Sequence, residues 1–231
     1  GGRHDWVETK TEDLLRGTAE TQKDDAFTGR AGLSYVFANG IAPYVSYATS
    51  FQPIAGIDAL GNPFQPSEGR QYEAGIKYQP PGANVLITAA VFDIVEQNVV
   101  TIDPSNPAFP QTQTGEIHVR GFDIDARANL TRNLEAILGY AYLDSEITKS
   151  SNLAEIGGPV QHVPMHQASA WAKYTFSEGL LAGLSLGAGV RYKGELYAPE
   201  LTPGRTLVDA MVSYDLGRID PVFEGAQLSL N

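Results

Sequence analysis

Four histidines, a pair of aspartates and a group of aromatics in polar segments are the residues here whose types could carry chemistry. His4, His118, His162 and His166 are scattered, and only the last two stand four apart. That spacing suits two metal ligands on one helical face, but Pro164 lies between them, and a strand or loop would not bring them together. His166 reads instead as a polar wall residue. Asp123 and Asp125 share a face if the segment is a strand, as paired carboxylates of an acid–base catalyst would. Arg127 follows on that face, so the set reads as a solvated charge ladder. Asp24, Asp25 and Glu68 lack the dense oxygen spacing of a calcium loop. No glycine-rich phosphate loop or nucleophile elbow occurs. The sequence thus offers no catalytic signature and no protein-bound metal. Phe51, Phe64, Phe109 and Tyr197 lie in or beside long polar segments, where they could contact a ligand or pack the segments together. For any single one, packing is the preferred reading.

The elements that must position these residues are strands. In Leu184 to Lys193, Leu184, Leu186, Ala188, Val190 and Tyr192 fall on one face, and Ser185, Gly187, Gly189, Arg191 and Lys193 on the other. Successive strand side chains point to opposite sides of a sheet, so the segment has one apolar and one polar face. Tyr72, Ala74, Ile76 and Tyr78 likewise oppose Gln71, Glu73, Gly75 and Lys77, and Phe122, Ile124 and Ala126 oppose Asp123, Asp125 and Arg127. Ala168, Ala170, Ala172 and Tyr174 oppose Ser169, Trp171, Lys173 and Thr175. Residues 84–101 are apolar on both faces near their start, which leaves their register open. Ten strands and the start of another are predicted, over 3–12, 26–38, 41–51, 69–80, 84–101, 115–131, 133–147, 165–177, 183–195, 205–217 and 226–231.

Short turns near 38–40, 80–83, 131–132 and 177–179 alternate with long polar connections at 13–25, 52–68, 102–114, 148–164 and 196–204. Long loops gathered at one end of a meander are the pattern of a membrane β-barrel wall, whereas nothing forces a soluble sandwich to sort them so. Arg30, Lys77, Arg127, Lys173 and Arg191 all keep to polar faces, which spares the roughly 2–4 kcal/mol of a mid-bilayer cation. Tyr35, Phe37 and Tyr44 flank one short turn, and Tyr174 and Phe176 another, as rings at headgroup depth would. Cross-strand pairs in a soluble sheet are the alternative. The net charge of −11 argues against a nucleic-acid partner, and the absence of cysteine excludes disulfides and thiolate metal sites. No stretch approaches an apolar transmembrane helix. The chain opens on Gly1-Gly2-Arg3-His4-Asp5-Trp6, already strand-like, and closes on a strand barely begun, so a piece of a longer chain is expected.

At YVSYATSFQP (44–53) and PFQPSEGRQYEAGIKYQP (63–80) the sequence resembles the barrel of TonB-dependent siderophore receptors, nearest the ferrichrome type that handles ferric hydroxamates. The likeness runs on through TGEIHVRGFDIDARANLT (114–131), VPMHQASAWAKYTF (163–176), LSLGAGVRYKGELY (184–197) and TLVDAMVSYDL (206–216). Each motif alone is weak, but their order and spacing together are specific. The resemblance implies an all-β fold: an antiparallel up-and-down meander forming part of a transmembrane β-barrel of about 22 strands. Residues 1–231 would form one partial barrel domain, without the plug, the early strands and the last strand. It further implies an outer-membrane receptor that imports a ferric siderophore using energy passed through TonB. Expected partners are that siderophore, the plug and the rest of the barrel, the TonB complex through an N-terminal region, and outer-membrane lipid. No intrinsic cofactor is expected, iron entering only as the chelated ligand. Glu73, Lys77, Asp123, Asp125, Arg127, Lys173 and Arg191 would face the lumen and plug. In some relatives the loops matching 52–68 and 102–114 close over ligand, which singles out Phe64 and Phe109. A plug-free porin- or adhesin-like barrel and a small barrel enzyme are the rival classes. An upstream plug would exclude the first, and a catalytic cluster at the mouth would favour the second.

Overall fold

The computed structural model describes residues 1–13, 18–58, 62–103, 111–198 and 200–231. Alternation becomes a single antiparallel sheet. Its strands are β1 (Gly2–Asp13), β2 (Thr18–Ser34), β3 (Ile41–Gln52), β4 (Ser67–Tyr78), β5 (Val85–Ile102), β6 (Gln111–Asn129), β7 (Leu134–Lys149), β8 (His166–Thr175), β9 (Leu184–Lys193), β12 (Arg205–Asp215) and β13 (Gln227–Leu230). A two-stranded hairpin, β10 (Leu196–Ala198) with β11 (Glu200–Thr202), rises between β9 and β12. The order in the sheet is β1-β2-β3-β4-β5-β6-β7-β8-β9-β12-β13, so consecutive strands are neighbours throughout. No described strand joins β1 to β13, and the wall is open. Turn chemistry fixes several corners. The Asn39 side chain accepts from the Ile41 amide at 3.1 Å beside Gly40 at φ +87°, and Thr131 Oγ1 accepts from the amides of Asn133 and Leu134 at 3.1 and 3.0 Å.

The register settles the strand whose sides were open. Val85, Ile87, Ala89 and Val91 share the face of Tyr78, Ile76 and Ala74, while Leu86, Thr88, Ala90 and Phe92 share that of Lys77, Gly75 and Glu73. The apolar face is widely exposed, with Val91, Ile76, Leu138 and Val208 each more than half open. Among the described residues nothing packs against it, as expected of a wall whose solvent is lipid.

The aromatic belt on this face fixes the tilt. From Tyr78 the directly opposed residues run Ile87, Ala126, Leu138, Ala170, Val190 and Val208. The belt tyrosines do not follow that row. Tyr174 lies four residues nearer the turns after four strands, and Tyr214 six residues nearer after six. Two strands the other way, Tyr35 is displaced by two residues in the opposite sense. A level belt thus slips one residue per strand: about 3.4 Å along a strand for about 4.8 Å across, a tilt of about 35°. That is the slant of a transmembrane barrel wall. An upper belt of Tyr47, Tyr72, Phe122, Tyr142 and Tyr192 runs parallel, with the Tyr47 and Tyr72 rings 4.9 Å apart and Phe122 and Tyr142 stacked at 5.7 Å.

Several sequence expectations change. Residues 111–114 begin β6, and 196–198 and 200–202 form the β10–β11 hairpin, where the sequence predicts connections. Residues 18–25 are strand, not loop, because β1 and β2 continue as a tall hairpin with Trp6 opposite Asp25 and Asp13 opposite Thr18. Water bathes both sides there, so charge pairs such as Lys23 with Glu8 at 3.3 Å replace the apolar alternation. Tyr44 does not join the lower belt. It points to the polar face, its ring over Gly75, where a Cβ would come within 2.7 Å. In a receptor carrying this wall, Ala188→Arg on the apolar face should lower the unfolding free energy by about 2–4 kcal/mol in urea titrations in vesicles. Gln71→Arg on the opposite face should cost less than about 1 kcal/mol.

Candidate functional site

The polar face gathers the predicted charge ladder. The register places Glu73, Lys77, Asp123, Asp125, Arg127, Lys173 and Arg191 together on the side opposite the aromatic belts. Glu73 accepts from Tyr44 Oη at 2.7 Å and from Gln71 Nε2 at 2.8 Å, and Lys77 Nζ stands 5.1 Å from the Tyr44 ring centre. Lys173 pairs with Glu135 at 2.9 Å, and Arg191 forms a two-pronged bond to Asp209, 2.9 Å for each arm. Between these pairs Trp171 lies flat over Gly187 and Gly189, where added Cβ atoms would meet the ring at 2.5 and 2.4 Å. Asp123, Asp125 and the Arg127 guanidinium have no side-chain hydrogen-bond or ion-pair partner among the described residues. The two aspartates, with Arg191, border a shallow depression floored by Gly139, Ala141 and Ser169. Such a face can hold water or receive a polar domain. Among the described residues no group of three or more His, Asp or Glu could hold a metal.

At the long-loop end the aromatic candidates separate. Phe51 lies in β3 on the row of Tyr47 and Thr49, and so on the outward face rather than over the mouth. Phe64 is 3 % exposed, packed against Gly56 within its own loop. In this arrangement it presents no surface to a ligand. Phe109 falls outside the described residues. Tyr197 remains exposed in β10, beside a groove shared with Leu143, Met165, Tyr192, Leu196 and Leu201. His166 is exposed on the outward face, with Tyr140 Oη 2.9 Å from its Nδ1 and the Tyr142 ring 5.2 Å away.

Amides and hydroxyls that the sequence did not single out build the rim. β3 and β4 are shorter than their neighbours, and the segment 62–66 fills the gap between two taller hairpins. Gln22 Nε2 donates to the Phe64 carbonyl at 2.7 Å from one side. From the other, the Gln113 amide bonds both the N–H and the C=O of Gln65, and also reaches the Asn98 carbonyl at 3.1 Å. Asn98, in the left-handed region at φ +59°, sits where the β5–β6 register shifts and donates to the Pro66 carbonyl at 3.0 Å. Thr101, Thr112, Thr114 and Ser151 form a hydroxyl cluster joining β5 and β6 to the segment after β7. No periodicity marks such residues, since each works through a local backbone partner.

Glu116, six residues above Phe122 of the upper belt along β6, accepts from Lys149 Nζ and Gln97 Nε2 at 2.8 Å each and from Thr148 at 2.9 Å. The Lys149 bond first, then the Gln97 and Thr148 bonds, hold its carboxyl down to about 2 from an ordinary 4.5. A depressed carboxylate stabilises the fold fully above its unfolded value and loses that contribution as pH falls through the folded one. Protection factors of the amides at 147–149, taken against the intrinsic exchange rate at each pH, should therefore fall between about pH 4.5 and about pH 2, and Lys149→Met should move the onset upward. Gln113→Ala should raise exchange at Gln65 without disturbing β6 below Arg120.

Comparison with known proteins places this geometry in a lineage. All of residues 1–231 match the family model described as TonB dependent receptor-like, beta-barrel. The chain is 38% identical over 235 residues to the "Ferrichrome outer membrane transporter/phage receptor" of Escherichia coli (strain K12), covering 100% of this chain and 31% of that protein. It is 39% identical over 235 residues to the "Ferrioxamine B receptor" of Salmonella typhimurium (strain LT2), covering 100% of this chain and 33% of that protein. The crystal structure of the siderophore receptor PiuA from Acinetobacter baumannii superposes with a TM-score of 0.75 at 27% identity, over 93% of this chain and 34% of that one. The chain thus spans about a third of the length of the curated relatives it matches. This is a family of receptors rather than of enzymes, and its barrels lie in the bacterial outer membrane. A sheared wall with lipid-facing belts and a charged inner face, matched along its whole length, belongs to the TonB-dependent receptor β-barrel family.

Proposed function

We propose that the receptor built on this wall imports a ferric siderophore of the hydroxamate type across the outer membrane, driven through TonB. The observation that carries the reading is the likeness, along the whole of this chain, to two receptors named for ferrichrome and ferrioxamine B. The wall's chemistry supports it. A transporter of a bulky chelate needs a wide polar bore, and the inner face supplies one, its charges spaced among Gly121, Gly139, Ala141 and Ser169. Iron enters as cargo within the chelate. Asp123, Asp125 and Arg127, which make no side-chain hydrogen bond or ion pair among the described residues, are the groups best placed to bond a plug. Glu135–Lys173 and Arg191–Asp209, already paired, line water.

The test is uptake of radioiron by a host stripped of its own hydroxamate receptors and supplied with the complete receptor. Ferrichrome or ferrioxamine B should support uptake that stops when TonB is deleted. Uptake indifferent to TonB would point to a plug-free porin-like barrel, and no uptake of either chelate would refute the hydroxamate reading. Arg127→Ala should loosen plug protection against protease while leaving chelate affinity within about threefold. A sharp affinity loss with plug protection intact would contradict the assigned role.

A further inference from the structure

Two neighbouring connections at the turn end carry more apolar surface than turns in water do. The β8–β9 connection contains a 3₁₀ turn at Gly179–Leu181, and the β12–β13 connection contains two, at Leu216–Arg218 and Pro221–Phe223. Leu180 is 105 % exposed and Val222 84 %, and Leu181, Ile219 and Phe223 are also open. The two connections touch. The Asp215 amide donates to the Gly183 carbonyl at 3.0 Å, and a Cβ at Gly183 would meet Arg218 Cγ at 2.7 Å. The other turns of this end are tighter and built mostly from small or polar residues: 38–40, 80–83 and 131–133.

Their depth follows from the belt. β8 ends at Thr175 and β12 at Asp215, each one residue past the belt tyrosines Tyr174 and Tyr214. Both connections therefore begin at headgroup level. Phe176, edge-on to Tyr174 at 4.9 Å, and Leu184, opposite Tyr214, continue the lipid-facing surface into them. Asp215 and Asp220 turn their carboxylates back onto the Gly217 and Val222 amides, at 3.0 and 2.9 Å. Arg218 is left as an exposed cation between the turns, suited to a lipid phosphate.

We propose that these two connections form a lipid-seated anchor, Leu180, Leu181, Ile219, Val222 and Phe223 entering the headgroup–acyl boundary of the leaflet on the turn side. Large apolar groups on short structured segments, continuous with an apolar belt and bordered by Arg218 and by the exposed carboxylates of Glu178, Asp220 and Glu224, are what an interfacial anchor requires. The site is separate from the bore, and it holds whichever chelate the receptor carries.

The experiment uses the complete receptor in phosphatidylethanolamine/phosphatidylglycerol vesicles, with a bimane fluorophore on Leu180→Cys or Val222→Cys and on Ala83→Cys in a tight turn. At 180 and 222 the emission should shift to the blue and be roughly halved by lipids carrying a nitroxide near the headgroup, with little quenching by aqueous iodide. Ala83→Cys should respond more to iodide. Water-like emission with strong iodide quenching at 180 and 222 would overturn the proposal. Shielding from both quenchers would overturn it too, since a protein surface would then cover the patch. Two labelled positions guard against one variant that fails to assemble.

Discussion

Inside lipid, a strand's N–H and C=O groups find partners only on neighbouring strands, and that obligation governs the rest of this structure. Once the ladder is complete, register is fixed, and with a period of two it assigns every side chain to lipid or to the bore. A slip of one residue would send Lys77, Arg127 and Arg191 into acyl chains together. The same ladder carries the slant. The belt tyrosines drift one residue per strand across the register, so the direction of the membrane is recorded in where Tyr35, Tyr78, Tyr174 and Tyr214 fall.

Above the upper belt the governing physics changes. Both faces of the tall hairpins meet water, so stability there rests on side-chain bonds between neighbouring segments. Gln22 and Gln113 clamp Phe64 and Gln65 from opposite sides, and Glu116 draws β5, β6 and β7 together. The rim is thus a continuous collar, and Phe64 is a filling for it. On the polar face, by contrast, small residues opposite large ones let Tyr44 and Trp171 lie flat against the wall.

What the sequence disclosed and what it hid divide along the same boundary. Strands within the membrane were legible because lipid on one side and water on the other write a period of two. That pattern put the set from Glu73 to Arg191 on one polar face, while the resemblance supplied the expectation that this face looks into a lumen. The upper parts of β1 and β2 were missed, because a strand wetted on both faces has no hydrophobic alternation to read. Tyr44 was misplaced because nearness to a turn says which end a ring occupies, while only parity says which face. The loop aromatics were the weakest ground. Phe51 and Phe64 have the right chemistry for a ligand, but orientation and burial come from register and from Gly56, which spacing in the sequence does not encode.

Assignment of sides is the claim on which all of this stands, and a nitroxide scan measures it directly. Residues 1–231 contain no cysteine, so once any cysteine outside them is replaced, labels can be introduced singly from Leu184 to Lys193 in the complete receptor reconstituted in lipid. Collisions with dissolved oxygen should peak at 186, 188 and 190, and collisions with a water-soluble nickel chelate at the intervening positions. Accessibilities without that two-residue rhythm, or with oxygen favouring the Arg191 row, would contradict a wall that separates lipid from a polar bore.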